Sequence, residues 1–356
     1  MTSGEHVDKV AGKKKKKEGQ EMKAVVVEKY GEAILKEIPL REVGHEEVKV
    51  KVAYCGVGGA DPFAITGEIR FPLPYHIGYQ ASGIIEELDE AAIAQGLKVG
   101  DRVALDQHRY CGSCYNCRHG RETFCRTPGY GYLDSLMAEY AVVHQRQAFK
   151  IPDSISLEEA SLTEVVGAAM PAIELAPFNQ GDSVMVIGGG SCGLIILQLA
   201  KLKGATRLTL VEPVEAKRKL ALKLGADYVI DPKSQDVVEE AMRITEERGF
   251  DRVIEASGES EMIPPCIDML ARCGRIILFG IYPDHPKLTV ETDKLWFKEA
   301  GIQGVFGQSH MFPRAVNILP KLDLKSMLGP VYPLDRFQEA FDAHNTMQYA
   351  KVLVKC

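Results

Sequence analysis

Cys111, Cys114, Cys117 and Cys125, spaced C-x2-C-x2-C-x7-C, constrain this chain more than any other feature. So many soft thiolate donors in one short loop read as a closed tetrahedral zinc site. Gly112 and Gly120 permit the turns, and Arg118, His119, Arg121 and Arg126 offset thiolate charge. Four sulfur ligands leave no position for water or substrate, so this metal holds a lobe together and does no chemistry.

The 356 residues are 26% charged and 46% hydrophobic, enough for two globular domains. Nine cysteines are an odd number, four of them assigned to metal, which suits a reducing cytoplasmic setting better than a disulfide framework. No run approaches the roughly 20 apolar residues of a membrane span. The formal charge of -6 gives no general reason to expect nucleic acid. One local exception is the run Lys13 to Lys17. Residues 1–21 read as a disordered extension, with a basic arm for RNA or an anionic surface as the alternative.

From Ser183 the chain reads S-V-M-V-I-G-G-G-S-C-G-L-I-I-L-Q-L-A, a β-rich run, then Gly188, Gly190 and Gly193 with Cys192 among them, then helical periodicity. Gly188 permits a tight turn, Gly190 lets backbone approach a pyrophosphate, and Gly193 allows close helix packing. The next β-run ends at Glu212, where a carboxylate binds the ribose hydroxyls of NAD and repels the 2'-phosphate of NADP. Lys217 and Arg218 follow, and a basic residue there softens that preference. Further β-runs at 228–230, 252–255 and 275–279 indicate a parallel, doubly wound α/β sheet. Ser257, Gly258 and Gly280 fall at strand ends, where a nicotinamide or an ordinary turn equally suits them.

A β-rich N-terminal part with a four-cysteine lobe, followed by a dinucleotide fold, resembles the zinc-containing medium-chain dehydrogenase family. The likeness covers residues 22–356. It is strongest to the threonine, sorbitol and butanediol dehydrogenase branch, on V-G-D-R-V at 99–103, the lobe, A-E-Y-A-V-V at 138–143 and K-I-P-D at 150–153. The resemblance implies a GroES-like catalytic domain at 22–155 and 300–356 carrying the lobe at 108–126, and a Rossmann NAD-binding domain at 156–299. Residues 352–354 would return as a strand to the first domain. It also implies a homodimer or homotetramer and a small-molecule substrate.

The family's second, catalytic zinc is where this sequence departs. The family motif C-G-V-C-G-T-D-L-H is here C-G-V-G-G-A-D-P-F, which keeps Cys55 and Asp61 but puts Ala60 and Phe63 at the proton-relay positions. The family's G-H-E is Gly78, Tyr79 and Gln80, and its E-P-L-x-V-A-L-H keeps Glu164 but ends in Pro171. Two candidate ligands, Cys55 and Glu164, fall short of the three that a catalytic zinc takes, so an empty or weak site is expected.

Without that metal a plain alcohol is a difficult substrate, whereas an enone, iminium or activated ketone demands less charge stabilisation. Tyr79 is the candidate proton source, with filling of the vacated space as its structural alternative. Gln80 suits a substrate carbonyl, His108 an acid, base or orienting role, and Asp61 a place near cofactor and metal; each has a structural alternative. The expected function is an NAD(H)-dependent oxidoreductase acting on such an acceptor. Two alternatives stand beside it: a zinc polyol or amino-alcohol dehydrogenase with unconventional ligands, and a silent NAD-binding protein.

Overall fold

The computed structural model describes residues 20–127, 131–132, 136–175, 177–282, 285–307 and 310–356. The run Lys13 to Lys17 lies outside them. Residue 21, expected to belong to the extension, instead begins the strand Glu21–Lys29, which pairs antiparallel with Glu32–Pro39.

At the centre of the first domain lies the strand Glu47–Gly56, where Val48, Val50 and Val52 alternate inward into a buried core. It pairs antiparallel with Gln80–Leu88, with Tyr140–His144, and with the C-terminal strand Lys351–Lys355. The return strand expected at 352–354 is therefore present, with Leu353 opposite Gly56 and Val354 opposite Cys55. This register carries Cys55, Gln80 and Lys351 to one end of the sheet.

Six parallel strands form the second domain, in the spatial order Tyr228–Ile230, Thr206–Val211, Ser183–Ile187, Phe250–Glu255, Leu270–Leu278, Gly301–Gly304. Both faces are covered. Val184 and Val186 pack into one apolar core and Met185 and Ile187 into another, which is why this strand reads as a continuous apolar run. The winding reverses between Ser183–Ile187 and Phe250–Glu255, so the crevice beyond their carboxyl ends is the binding place of a doubly wound sheet.

The domain boundary expected at residue 300 falls early. Gly301–Gly304 is the sixth strand of the parallel sheet, and Phe312, Ala315, Val316 and Leu319 pack with the helices Thr163–Glu174 and Ser191–Lys203. A short glycine-flanked strand with little apolar content gave no local sign of this pairing. The helix Thr163–Glu174 also joins that core, and its first turn delivers Glu164 to the junction of the two domains.

Candidate active site and metal lobe

The four lobe cysteines converge. Their sulfurs all lie within 4.8 Å of one another, with separations of 3.4 Å for Cys114–Cys117, 3.8 Å for Cys111–Cys125, and 3.9 Å for Cys111–Cys117 and Cys114–Cys125. A Zn–S bond of about 2.3 Å sets sulfur–sulfur edges of about 3.8 Å in a tetrahedron, so these residues fit such an ion. Cys111 Sγ accepts from Thr127 Oγ1 at 3.2 Å and from the Cys114 amide at 3.3 Å. The Thr127 bond, with those from Ser113 and Cys114, brings the Cys111 thiol down to about 5, favouring the thiolate that a metal needs.

At the dinucleotide loop, Gly188 has φ +100°, and a Cβ there would stand 2.8 Å from the Ser257 backbone. A Cβ on Gly193 would meet the Gly188 carbonyl at 1.9 Å, whereas Gly190, capping the helix Ser191–Lys203, faces open space. Glu212 Oε2 accepts from the Gly189 amide at 2.6 Å and Oε1 from the Val214 amide at 2.8 Å, which holds the carboxylate against the loop. Arg218 is occupied, donating to the Glu212 carbonyl at 2.7 Å and pairing with Asp231 at 2.9 Å. Lys217 is buried, and burial lowers its pKa against the opposing pull of Glu212. Ser257 Oγ donates to Glu255, as does Tyr282 Oη, while Gly258 and Gly280 pack so closely there that a Cβ on Gly280 would stand 2.6 Å from the Glu255 carboxylate.

Where the domains meet, Cys55, Asp61, Gln80 and Glu164 are all buried. Asp61 accepts from the amides of Gly58 at 2.8 Å and Gly78 at 3.4 Å. Gln80 Nε2 donates to Glu164 Oε2 at 2.8 Å. Lys351, 2% exposed, donates to the Val57 carbonyl at 2.8 Å and to Gln80 Oε1. The Tyr79 ring lies over Gly58, where a Cβ would stand 2.0 Å from its hydroxyl, and that hydroxyl accepts from the Ala60 amide at 3.2 Å.

These features have counterparts in known proteins. A profile described as zinc-binding dehydrogenase matches residues 192–321, and one described as alcohol dehydrogenase GroES-like domain matches residues 44–153. L-threonine 3-dehydrogenase of Pyrococcus horikoshii is 33% identical over 337 residues, covering 91% of this chain and 95% of that protein. D-arabinitol dehydrogenase 1 of Uromyces fabae is 32% identical, covering 90% and 92%. The crystal structure of a zinc-binding dehydrogenase from Sinorhizobium meliloti bound to NADP superposes with a TM-score of 0.86 at 29% identity, covering 95% of this chain and 100% of that one. The chain belongs to the zinc-containing medium-chain dehydrogenase family. It is an oxidoreductase of that family, with a GroES-like domain and a parallel-stranded cofactor domain.

Within this medium-chain dehydrogenase, the donor set at the domain junction does not fit a catalytic zinc. Among the described residues, Cys55, Asp61 and Glu164 do not draw their ligand atoms together as the lobe cysteines do, and burial raises the Cys55 thiol well above its usual range. Glu164, raised by burial to about 7, already accepts from Gln80, and the Lys351 amino group, whose pKa burial lowers, lies on the other side of that amide. Tyr79, where the family motif has an imidazole, is pushed up by burial and by the charges of Asp61 and Glu164, and so remains a phenol. The arrangement supplies buried protonated groups, a phenol and a carboxyl near 7, rather than three basic ligands around a cation.

His108 departs from the expected acid or base near neutral pH. Burial, aided by Arg126, lowers it to about 4, so the ring is neutral through the physiological range. It lines a cleft with Asp106, Tyr110 and Phe312 beside the lobe. Four residues escaped the sequence reading: Lys351, Asp106, Glu255 and Tyr282. A lone acid ending an apolar β-run, as in V-I-E-A-S-G, was the available sign for Glu255, and a lone lysine opening K-V-L-V the sign for Lys351. Cys192, raised by burial to about 12, shares this environment, with Glu164 and Lys351 as its electrostatic neighbours.

Proposed function

We propose that this dehydrogenase is an NAD(H)-dependent oxidoreductase that transfers hydride to or from a small activated acceptor, an enone, iminium or ketone, with one structural zinc in the four-cysteine lobe and no catalytic zinc. The observation that carries it is the Gln80–Glu164 hydrogen bond backed by Lys351, which commits to protein partners the groups that would otherwise face a metal. Preference for NAD rests on Glu212, held buried at the loop beneath Gly189, and on the prior engagement of Arg218.

Bound NADH supplies the hydride, and the chain must supply position and a proton. Gly190 and the amides opening the helix Ser191–Lys203 offer the pyrophosphate site, and Glu212 the ribose site. Addition of hydride to the β-carbon of an enone leaves negative charge on the carbonyl oxygen, which a proton then neutralises. Two groups are protonated or partly so at neutral pH: the Tyr79 phenol and the Glu164 carboxyl. An iminium acceptor takes hydride without needing that proton. None of the nine cysteines pairs in a disulfide, which suits a reducing, cytoplasmic setting.

The polyol or amino-alcohol reading draws support from the relatives' names and from retention of Cys55 and Glu164. Zinc per chain in dialysed wild type and Cys55→Ala decides between them. One zinc in both proteins, with NADH-dependent reduction of an enone panel that survives a chelator, is the expected result. Two zincs falling to one in Cys55→Ala would instead establish metal-assisted alcohol chemistry, and NADH binding without turnover of enones, polyols or amino alcohols would leave a silent binding protein.

A further inference from the structure

Glu255 closes the strand Phe250–Glu255 where the winding of the parallel sheet reverses, and it is fully buried. Its carboxylate is surrounded by donors. Oε1 accepts from the Ser257 amide at 2.7 Å, the Gly258 amide at 3.2 Å and the Ser257 hydroxyl, and Oε2 accepts from the Tyr282 hydroxyl. An amide N–H only donates, so these partners hold the ionised form. All four donors are uncharged, and among the described residues no lysine, arginine or histidine bonds to Glu255. Burial and the Glu255 charge together push up the Tyr282 phenol and the Cys266 thiol, so both stay neutral beside it.

The chain thus buries a negative charge, hydrogen-bonds it and gives it no cation. A buried ion is costly unless opposite charge meets it. Its position points to the partner. The Ala256 amide donates to the Ile187 carbonyl at 2.8 Å, and a Cβ on Gly188 would stand 2.8 Å from the Ser257 backbone, so the turn after Glu255 is fixed against the start of the dinucleotide loop. On its other side, the amides of Phe279 and Gly280 donate to the Glu255 carbonyl at 2.8 and 3.0 Å. Both strand ends border the crevice of the doubly wound sheet. Resting on the NAD(H) reading above, we propose that Glu255 is a fixed countercharge for the oxidised nicotinamide ring, which becomes positive as hydride leaves. It favours the oxidised cofactor over the neutral reduced one, and so makes bound NADH a better hydride donor to an activated acceptor. Ser257 and Tyr282 hold the carboxylate in place and are positioning residues.

Binding reads this without turnover. Dissociation constants for NAD+, NADH and ADP-ribose, which lacks the ring, are measured by titration calorimetry for wild type, Glu255→Gln and Tyr282→Lys. The first variant keeps the side-chain shape without its charge, and the second sets an ammonium beside the carboxylate. Both are expected to lose NAD+ affinity by about fivefold or more relative to NADH, with ADP-ribose within about twofold of wild type. Tyr282→Phe, which removes a neutral donor and leaves the charge, is expected to keep the wild-type preference, and a shift there as large as in Tyr282→Lys would overturn the proposal. So would an NAD+ to NADH ratio within about twofold of wild type in a folded charge variant, or equal losses for NAD+ and ADP-ribose, as a merely structural role requires. Tyr282→Lys keeps the test decisive if Glu255→Gln does not fold. Failure of wild type to bind either nucleotide would sink the NAD(H) reading instead, so the two failures are distinguishable.

Discussion

At the scale of single residues, two changes from the family motif fit each other. The Tyr79 ring needs Gly58, since the cysteine that the family motif carries there would put a Cβ into the ring. Gly58→Ala is therefore expected to destabilise by about 1–3 kcal/mol through overpacking, and by much less in a Tyr79→Ala background. Thermal unfolding of the four proteins of that double-mutant cycle measures the coupling, and additive effects would refute the interlock. Glu212→Ala should weaken NAD binding about tenfold or more while changing NADP little, because only the former loses a bidentate ribose partner. Fluorescence titration with both reduced nucleotides checks it, and an unchanged ratio would place ribose recognition elsewhere.

Elements differ in how far the sequence announces them. The lobe and the loop from Gly188 to Gly193 were legible because their chemistry is local: ligands or glycines at fixed offsets in one short segment. Cys114→Ser is expected to lose the metal and loosen the lobe while leaving the parallel sheet folded, as reported by zinc content and hydrogen exchange across 108–126. The buried cluster was legible only in part. Cys55, Tyr79, Gln80 and Glu164 could be marked by comparison with motifs, but their partner Lys351 reaches Val57 across 294 residues of sequence and Gln80 across 271. Burial of that lysine follows from strand register, which no window of residues displays. The same holds for Gly301–Gly304, whose place in the parallel sheet depends on its neighbour Leu270–Leu278.

Over the whole molecule, several buried ionisable groups tie stability to pH with opposite signs. Burial raises Glu164 to about 7, Asp106 to about 7 and Asp61 to about 6, so the folded chain keeps protons that the unfolded chain has released. Their contribution is full below the unfolded carboxyl values and is lost as pH rises through 6 to 7. His108 and His344, both lowered to about 4 by burial, act the other way, contributing above about 6.5 and losing that contribution as pH falls. Comparing one variant with wild type isolates a single group. Glu164→Gln should lose less stability than wild type between pH 5 and pH 8, by up to the order of 3 kcal/mol. Denaturant unfolding at the two pH values tests this, and parallel losses would show that Glu164 ionises freely in the folded chain.

The antiparallel pairing of Lys351–Lys355 with Glu47–Gly56 also sets an order of events during synthesis. The parallel sheet and its helices lie in one contiguous stretch that emerges from the ribosome before Lys351 is made, whereas the first domain's central strand must wait for a partner from the other side of that stretch. A nascent chain can thus complete its nucleotide-binding half while the substrate half still shows an open strand edge, a surface that invites chaperones or a second chain until the last strand closes it.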